Sequence, residues 1–319
     1  MIERGSAMRE YIAKRIIGFV AVLIGVSMLS FLLIALSNTD PAEVIARRSG
    51  GQVTQEMIEQ VRKELGLDAP MPIQYLYWMK GLFTGDLGMS IYSYNPIAQD
   101  LKTFFPVTFR LVSFALLWIL LLSVPISLIC VRFHNSPVDH ITRGVTILGI
   151  CTPPFWLGFL LLYLFAVRFS WFKVLPEPGL KGYILPSLTL ALPMACAIIR
   201  LFRSTLLAEL SSDYVQYAKG RGLSSARILT HHVLRNALPP IITVFCQYLG
   251  YLIAGSAVVE SVFSLKGVGS YLIGCVSSSD VTATATCIVI IAGIFVTANL
   301  AGDIMNRLLC PWMVHESND

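Results

Sequence analysis

The sequence predicts an all-α, polytopic membrane protein. It has six transmembrane helices, an external cap after the first, and a cytoplasmic helix between the fourth and fifth. Three observations predict this. The 319 residues are 55% hydrophobic and only 13% charged, with a mean hydropathy of +0.69, too apolar for a soluble domain of this length. The apolar residues gather into six long stretches instead of spreading as a soluble core would. The basic residues fall mainly on alternate connections between those stretches, the asymmetry that orients a membrane chain.

The stretches are 16–37, 111–131, 144–167, 183–205, 237–259 and 281–302, the fourth reaching full length only by continuing past Arg200. At ~1.5 Å rise per residue, roughly 20 residues cross a hydrocarbon core of about 30 Å. Lys14 and Arg15 precede the first run as in a signal peptide, but the run is too long and no small-residue cleavage pattern closes it. It reads as a retained anchor after a cytoplasmic N-terminus, 1–15, whose residues before Met8 look dispensable.

Arg132 and Arg143, then Arg200, Arg203, Lys219, Arg221, Arg227 and Arg235, put two connections on the cytoplasmic side, with both termini. The opposite connections carry fewer: Arg168, Lys173 and Lys181 in one, Lys266 in the other. The tail, 303–319, is then cytoplasmic and the segment 38–110 external. Within that segment Thr54 to Leu65 reads as a capped amphipathic helix ended by Gly66. Ile73 to Phe83, with Tyr75, Tyr77 and Trp78, suits a helix at the lipid interface. Pro153-Pro154, Pro186, Pro193 and Pro239-Pro240 are positioned to bend their helices, although proline is common in transmembrane helices generally. The external stretch 260–280 opens with a glycine-rich segment, Glu260 to Gly269, compatible with a re-entrant turn or a plain surface loop.

Seven cysteines lie mostly in or beside the spans with no CxxC spacing, which argues against disulfides and structural zinc. The net charge of +5 fits cytoplasmic loops meeting anionic membrane lipid and partner protein, with no nucleic acid implied.

The connection 206–236 is too long for a turn and too regular for a tether, and reads as two helices. The first starts at an N-cap on Ser211 or Ser212, carries Asp213 against the helix dipole, and runs to Arg221, with Gly222 as a left-handed stop. The second starts after Ser224 and ends at the prolines, with Leu229, Val233 and Ala237 at helical spacing. Tyr214, Ala218 and Arg221 share one face, so a small residue lies between an aromatic and a cation, as on a surface that enters another protein's cleft. An amphipathic helix on lipid headgroups is the competing reading, and a DNA-reading helix-turn-helix a remote one.

Tyr214-Val-Gln-Tyr-Ala-Lys-Gly-Arg-Gly-Leu-Ser-Ser-Ala-Arg-Ile-Leu-Thr-His-His-Val-Leu-Arg-Asn-Ala-Leu-Pro239 resembles the cytoplasmic loop of binding-protein-dependent ABC importer permeases of the dipeptide, oligopeptide and nickel branch. Matching features are Ala218 and Gly222 at the family spacing, and His232, Leu234, Arg235, Asn236 and Ala237. Others are Thr39-Asp40-Pro41, Glu64 to Pro70, Gln74-Tyr75 with Trp78, Gly85 to Ser90, Phe155-Trp156-Leu157, and Val262-Phe263 through Gly269. The chain departs from the pattern at Gln216-Tyr217, Lys266 and Leu309-Cys-Pro-Trp.

The resemblance implies a permease domain over about 105–309 in a bacterial inner membrane. It pairs with a second homologous permease, docks two ATP-binding subunits through Tyr214, Ala218, Lys219, Arg221, Gly222, Leu223 and Ser224, and receives substrate from an extracytoplasmic binding protein. No GxxxxGK[ST] occurs, so this chain is expected to bind no cofactor, the ATP being used by partner subunits.

A secondary transporter or channel without ATPase partners is the rival; it would want an ionisable group at depth, which all six stretches are expected to lack. All five histidines map to the cytoplasmic side, so no catalytic site is expected within the membrane and the chain is not read as an enzyme. Nickel, a metal chelate and short peptides all remain possible cargo; the short connection 168–182 resembles metal-branch members, while the spans hold too few soft ligands for a tight metal site. Met194, Gln247, Tyr248 and Tyr251 are candidates for lining the path, with ordinary helix packing the competing role.

Overall fold

At membrane depth every peptide N–H and C=O must be paired within the protein, so a long apolar run closes its own hydrogen bonds as a helix. The computed structural model describes residues 2–36, 42–43, 46, 54–64 and 68–309. Among these the chain is helical, and the only extended pairing is one bridge between Met89 and Pro96. Thr39-Asp40-Pro41, Gly66 and the tail beyond Leu309 lie outside the described residues.

Helix α1 (Ile2–Ala35) is followed by α2 (Gln55–Glu64) and α3 (Met71–Thr84). The Thr54 hydroxyl accepts from the Met57 N–H at 3.4 Å, capping α2. The α3 aromatics pack onto α1, with Tyr75 5.4 Å and Trp78 6.0 Å from the Phe31 ring. The Tyr75 hydroxyl pairs with Ser27 at 2.7 Å.

Next come α4 (Ile97–Arg132), α5 (Pro137–Cys151), and α6 (Pro154–Leu162), which runs on as a π-helical turn, Tyr163–Arg168. Helix α7 (Ile184–Leu210) leads to α8 (Asp213–Gly220). Helix α9 (Ser225–Ile228) continues through a π-helical turn, Leu229–Val233, into α10 (Leu234–Val262). The described chain closes with α11 (Val268–Ser277) and α12 (Val281–Leu309).

Among the described residues five helices, α1, α4, α7, continuous α9–α10 and α12, are long and apolar enough to cross a membrane; a sixth exists if α5 and α6 together count as one. Those two meet at 105°, so the expected third span, 144–167, is broken at Thr152-Pro153 instead of gently bent. Pro153 and Pro154 cannot donate to a continuing helix, and proline drives the preceding residue to an extended conformation, here Thr152 at ψ 122°.

Packing against α7 shows where the broken pair goes. Asp139 meets Arg203, Gly149 backs onto Cys196, and Gly158 backs onto Thr189, Val262 and Phe263. The pair therefore runs from the Arg203 end of α7 to the far end. Arg132, Arg143, Arg203 and α8 gather at one end of the molecule; the start of α4, the 168–183 connection and α11 gather at the other.

Within lipid there is no water to expel between helices, so close approach by small residues carries the packing. Ala115, Ala191 and Ala195 are buried where α4 and α7 meet Ile119, Ile198 and Phe202. Gly302 lies against Cys246, where an added Cβ would sit 2.6 Å from the Cys246 Cβ, and Gly250 lies against the Phe295 ring. These contacts hold α10 close to α12.

Three expected boundaries change. The second cytoplasmic helix does not end at Pro239-Pro240 but passes through them into the fifth span. The π-helical turn and the core contacts of Ile228, Val233 and Ala237 hold the register there. The 260–280 connection is not a surface loop: α10 extends to Val262, and α11 is seated on the core through Val268 and Tyr271. The helices forming the fifth and sixth spans include Glu260 and Asp303, so the lack of an acidic residue in the spans does not separate an importer from a secondary transporter.

Two buried carboxylates fix the α11 end. Glu260 accepts from the Thr108 hydroxyl at 2.5 Å and from the Ser270 N–H at 2.7 Å. It thereby caps α11, whose N-cap residue, Gly267, has no side chain and no room for one beside the carboxylate. Asp280 accepts from the Ser90 hydroxyl at 2.6 Å, from the Ile91 and Tyr92 N–H groups, and from the Ala283 N–H at 3.1 Å, capping α12.

Candidate functional site

The segment between α7 and α10 is built on two capped turns. Asp213 lies in the first turn of α8 and Lys219 in the last, each matching the helix dipole. At the C-terminal end Gly222 has φ +76°. Its N–H bonds to the Lys219 carbonyl at 2.9 Å, and the Leu223 N–H reaches back to the Ala218 carbonyl at 3.3 Å. Those two bonds define a Schellman turn, whose left-handed position favours glycine. The Ser224 hydroxyl then accepts from the Arg227 N–H at 3.4 Å and starts α9.

The turn fixes which face of α8 is presented. Val215 is 0% and Ala218 6% exposed, both packed on the core, so Ala218 is not on the outward face where it is expected. Its small side chain lets α8 lie flat against the bundle. Tyr214 also leans inward, its hydroxyl donating to Glu209 at 2.6 Å. Burial, then the adjacent carboxylate, hold its phenol above the usual range, so it stays a neutral donor. Leu223 packs against the core as well.

The outward face consists of Gln216, Tyr217, Lys219 and Arg221, with Gly222 and Ser224 beside it. Tyr217 is 69% exposed, and the Arg221 guanidinium lies 5.8 Å from its ring centre. The expected pairing of an aromatic with a cation is therefore present, but the aromatic is Tyr217. Positions 214, 218 and 221 do share one arc of a helix, but spacing does not say which arc lies against the bundle, and Arg221 is the C-cap, just outside α8.

An ion pair lies on the helix that leads to α8. Arg203 donates to Asp139 through Nε at 2.6 Å and Nη2 at 2.7 Å, and Asp139 also accepts from the Asn135 N–H at 3.1 Å. The pair ties the α4–α5 turn to α7 about three turns before α8. In the sequence Arg203 shows only as a basic loop residue, because its partner lies 64 positions away.

The path candidates divide. Gln247 and Tyr251 line an open groove of about 320 Å³ between α10 and α12, with Thr243, Phe295, Asn299, Gly302 and Asp303. Met194 and Tyr248 pack against the helix core and are not among its lining residues.

This arrangement defines a class: a polytopic helical permease that presents a short amphipathic helix between two of its long helices. The comparisons with known proteins agree. Residues 123–315 match the family of binding-protein-dependent transport system inner membrane components, and residues 8–112 its N-terminal family. The glutathione transport system permease protein GsiC of Escherichia coli K12 is 32% identical over 304 residues, covering 95% of this chain and 98% of the relative. GsiC of Salmonella typhi matches to the same extent. A chain of the MetNI methionine ABC transporter, solved in inward-facing conformations, shares the fold at a TM-score of 0.57 and 17% identity, covering 67% of this chain and 98% of its own. The chain belongs to the binding-protein-dependent transport system inner membrane component family. It is the permease component of an ABC importer, of the dipeptide, oligopeptide and nickel branch, and as such works with ATPase subunits and a substrate-binding protein.

Proposed function

We propose that the outward face of α8, with the turn at Gly222, is where an ATP-binding subunit docks, and that the importer moves peptide-like cargo of the glutathione class. The observation that carries the docking reading is the exposed Tyr217–Arg221 pair on a helix whose opposite side is anchored by Val215 and Ala218. Lys219, Gly222 and Ser224 complete the surface; Tyr214, Ala218 and Leu223 set its pose from behind.

In this reading the chain pairs with a second homologous permease and two ATP-binding subunits in a bacterial inner membrane, with both termini cytoplasmic. The clustering of Arg132, Arg143, Arg203 and α8 at one end supports that orientation. The chain binds no cofactor and catalyses no reaction; ATP is hydrolysed by its partners. Closure of the ATPases would pull on α8 and, through the Asp139–Arg203 pair, on the broken α5–α6 helix, an alternating-access movement. Peptide-like cargo is preferred over nickel because the curated relatives are named for glutathione transport.

The test is co-purification of the complete assembly with Tyr217→Ala/Arg221→Ala. We expect the double variant to keep its place in the membrane and lose the ATP-binding subunit. Retention of that subunit at wild-type stoichiometry sinks the docking assignment. Uptake of labelled glutathione, a dipeptide or nickel by vesicles holding the assembly separates the cargo readings.

A further inference from the structure

The groove between α10 and α12 lies on helices otherwise built for an apolar surrounding. Thr243, Gln247 and Tyr251 recur at intervals of four on α10, and Phe295, Asn299 and Asp303 at the same interval on α12, so one face of each helix meets across the groove. The close approaches at Gly250 and Gly302 bring these faces together. At the α8 end the Asn306 carboxamide donates to the Thr243 hydroxyl.

The carboxamides of Gln247 and Asn299 have no hydrogen-bond partner among the described residues. An unpaired amide at membrane depth is costly against hydrocarbon, so this face must meet water or another polar group. A primary amide also carries a donor and an acceptor side by side, as a peptide bond does.

We propose that this groove is the wall of the transport path in this chain, and that Gln247 and Asn299 hold cargo through its backbone amides, reading the peptide bond and not the side chains. The inference rests on the importer reading above. Two carboxamides can exchange hydrogen bonds with successive peptide groups of any short peptide, which suits a permease whose selectivity is set upstream by a binding protein.

The experiment uses the complete importer in membrane vesicles. Gln247→Cys and Asn299→Cys are exposed to a small, charged, membrane-impermeant thiol reagent, against the background of the seven native cysteines and with Leu120→Cys, an exposed position on the apolar helix α4, as the control. We expect both groove positions to react at least about tenfold faster than the control, and the rate from the cytoplasmic side to fall when nucleotide is trapped on the ATPases. Reaction no faster than at position 120 overturns the proposal.

A second variant, Gln247→Leu/Asn299→Leu, should still co-purify with the other permease and raise the KM for glutathione about tenfold, the loss of two neutral hydrogen bonds. Loss of the second permease instead makes the groove a subunit interface and also overturns the proposal. An unchanged KM removes the amide-holding role. ATP-driven glutathione uptake by the wild-type assembly keeps the two levels apart. With uptake and unreactive cysteines, the importer stands and the groove falls; with reactive, nucleotide-sensitive cysteines and no uptake, the groove stands as the path and the peptide-holding role falls with the cargo reading.

Discussion

Replacing Gly222 with valine isolates the backbone of the docking turn from everything around it. A Cβ placed at Gly222 meets no atom within 4 Å, so the substitution causes no clash with neighbouring groups. What remains is the cost of holding an L-residue at φ +76°, roughly 1–2 kcal/mol and more for a β-branched side chain. That is small beside the roughly 5–15 kcal/mol that hold a typical domain together, so the chain should insert and assemble. It is large for one turn: at a factor of ten per 1.4 kcal/mol, the closed turn loses roughly 5- to 30-fold in population against an opened one. Uptake and substrate-stimulated ATPase activity in proteoliposomes should fall by a similar factor with surface expression unchanged. Gly222→Asn should recover much of both, because asparagine tolerates the left-handed region. Wild-type uptake and ATPase stimulation by the valine variant would refute the reasoning. So would an equal defect in the valine and asparagine variants, which would place the fault in side-chain bulk at the docking face.

Asp139→Asn leaves the Arg203 guanidinium mostly buried without its bidentate partner and should destabilise the chain by about 3–5 kcal/mol, read as a lower Tm in detergent. Arg203→Lys keeps the charge but loses the fork, and should cost less. Thr108→Val removes the hydroxyl that donates to Glu260 and accepts from the Val268 N–H; a loss of about 2 kcal/mol should appear together with faster proteolysis at the α10–α11 turn. Ala218→Leu forces bulk between α8 and the core, and should cost about 1–3 kcal/mol and impair ATPase binding, whereas Tyr217→Ala should impair binding with a stability within about 0.5 kcal/mol of wild type.

The long helices were legible because apolar runs at helical length have a single physical outcome in lipid. Helix ends were legible only where the residue type announced them. Gly222 marked the end of α8, but α10 and α11 end in the same kind of turn with Ser264 and Ser279 in the left-handed position, at φ +54° and +55°. Serine gives no such signal, so α10 was cut short at residue 259 and α11 went unseen. Pro239-Pro240 misled in the opposite direction, since tertiary contacts of Val233 and Ala237 outweigh the two missing backbone donors. The helix α8 is legible from its pattern but its outward face is not, because burial of Ala218 depends on where α8 lies against the bundle. The Asp139–Arg203, Glu260–Thr108 and Asp280–Ser90 contacts join residues 64 to 190 positions apart, and no local pattern shows them.

Those three contacts also suggest which parts of the molecule move together. Glu260 and Asp280 bind α11 to the starts of α4 and α12, so the far end is a unit pinned by buried carboxylates that are costly to unpair. Asp139 and Arg203 bind α5 to α7, so the α8 end is a second pinned unit. Between them lie the 105° break at Thr152-Pro153 and the π-helical turn followed by two prolines at the head of α10, both places where backbone hydrogen bonding is already interrupted. Displacement of α8 should therefore be carried rigidly to those two joints and absorbed there, turning α10 and its groove face relative to the pinned far end. A permease driven from one end by borrowed ATP energy needs that division, because a uniformly stiff bundle would transmit no change of access and a uniformly soft one would dissipate it.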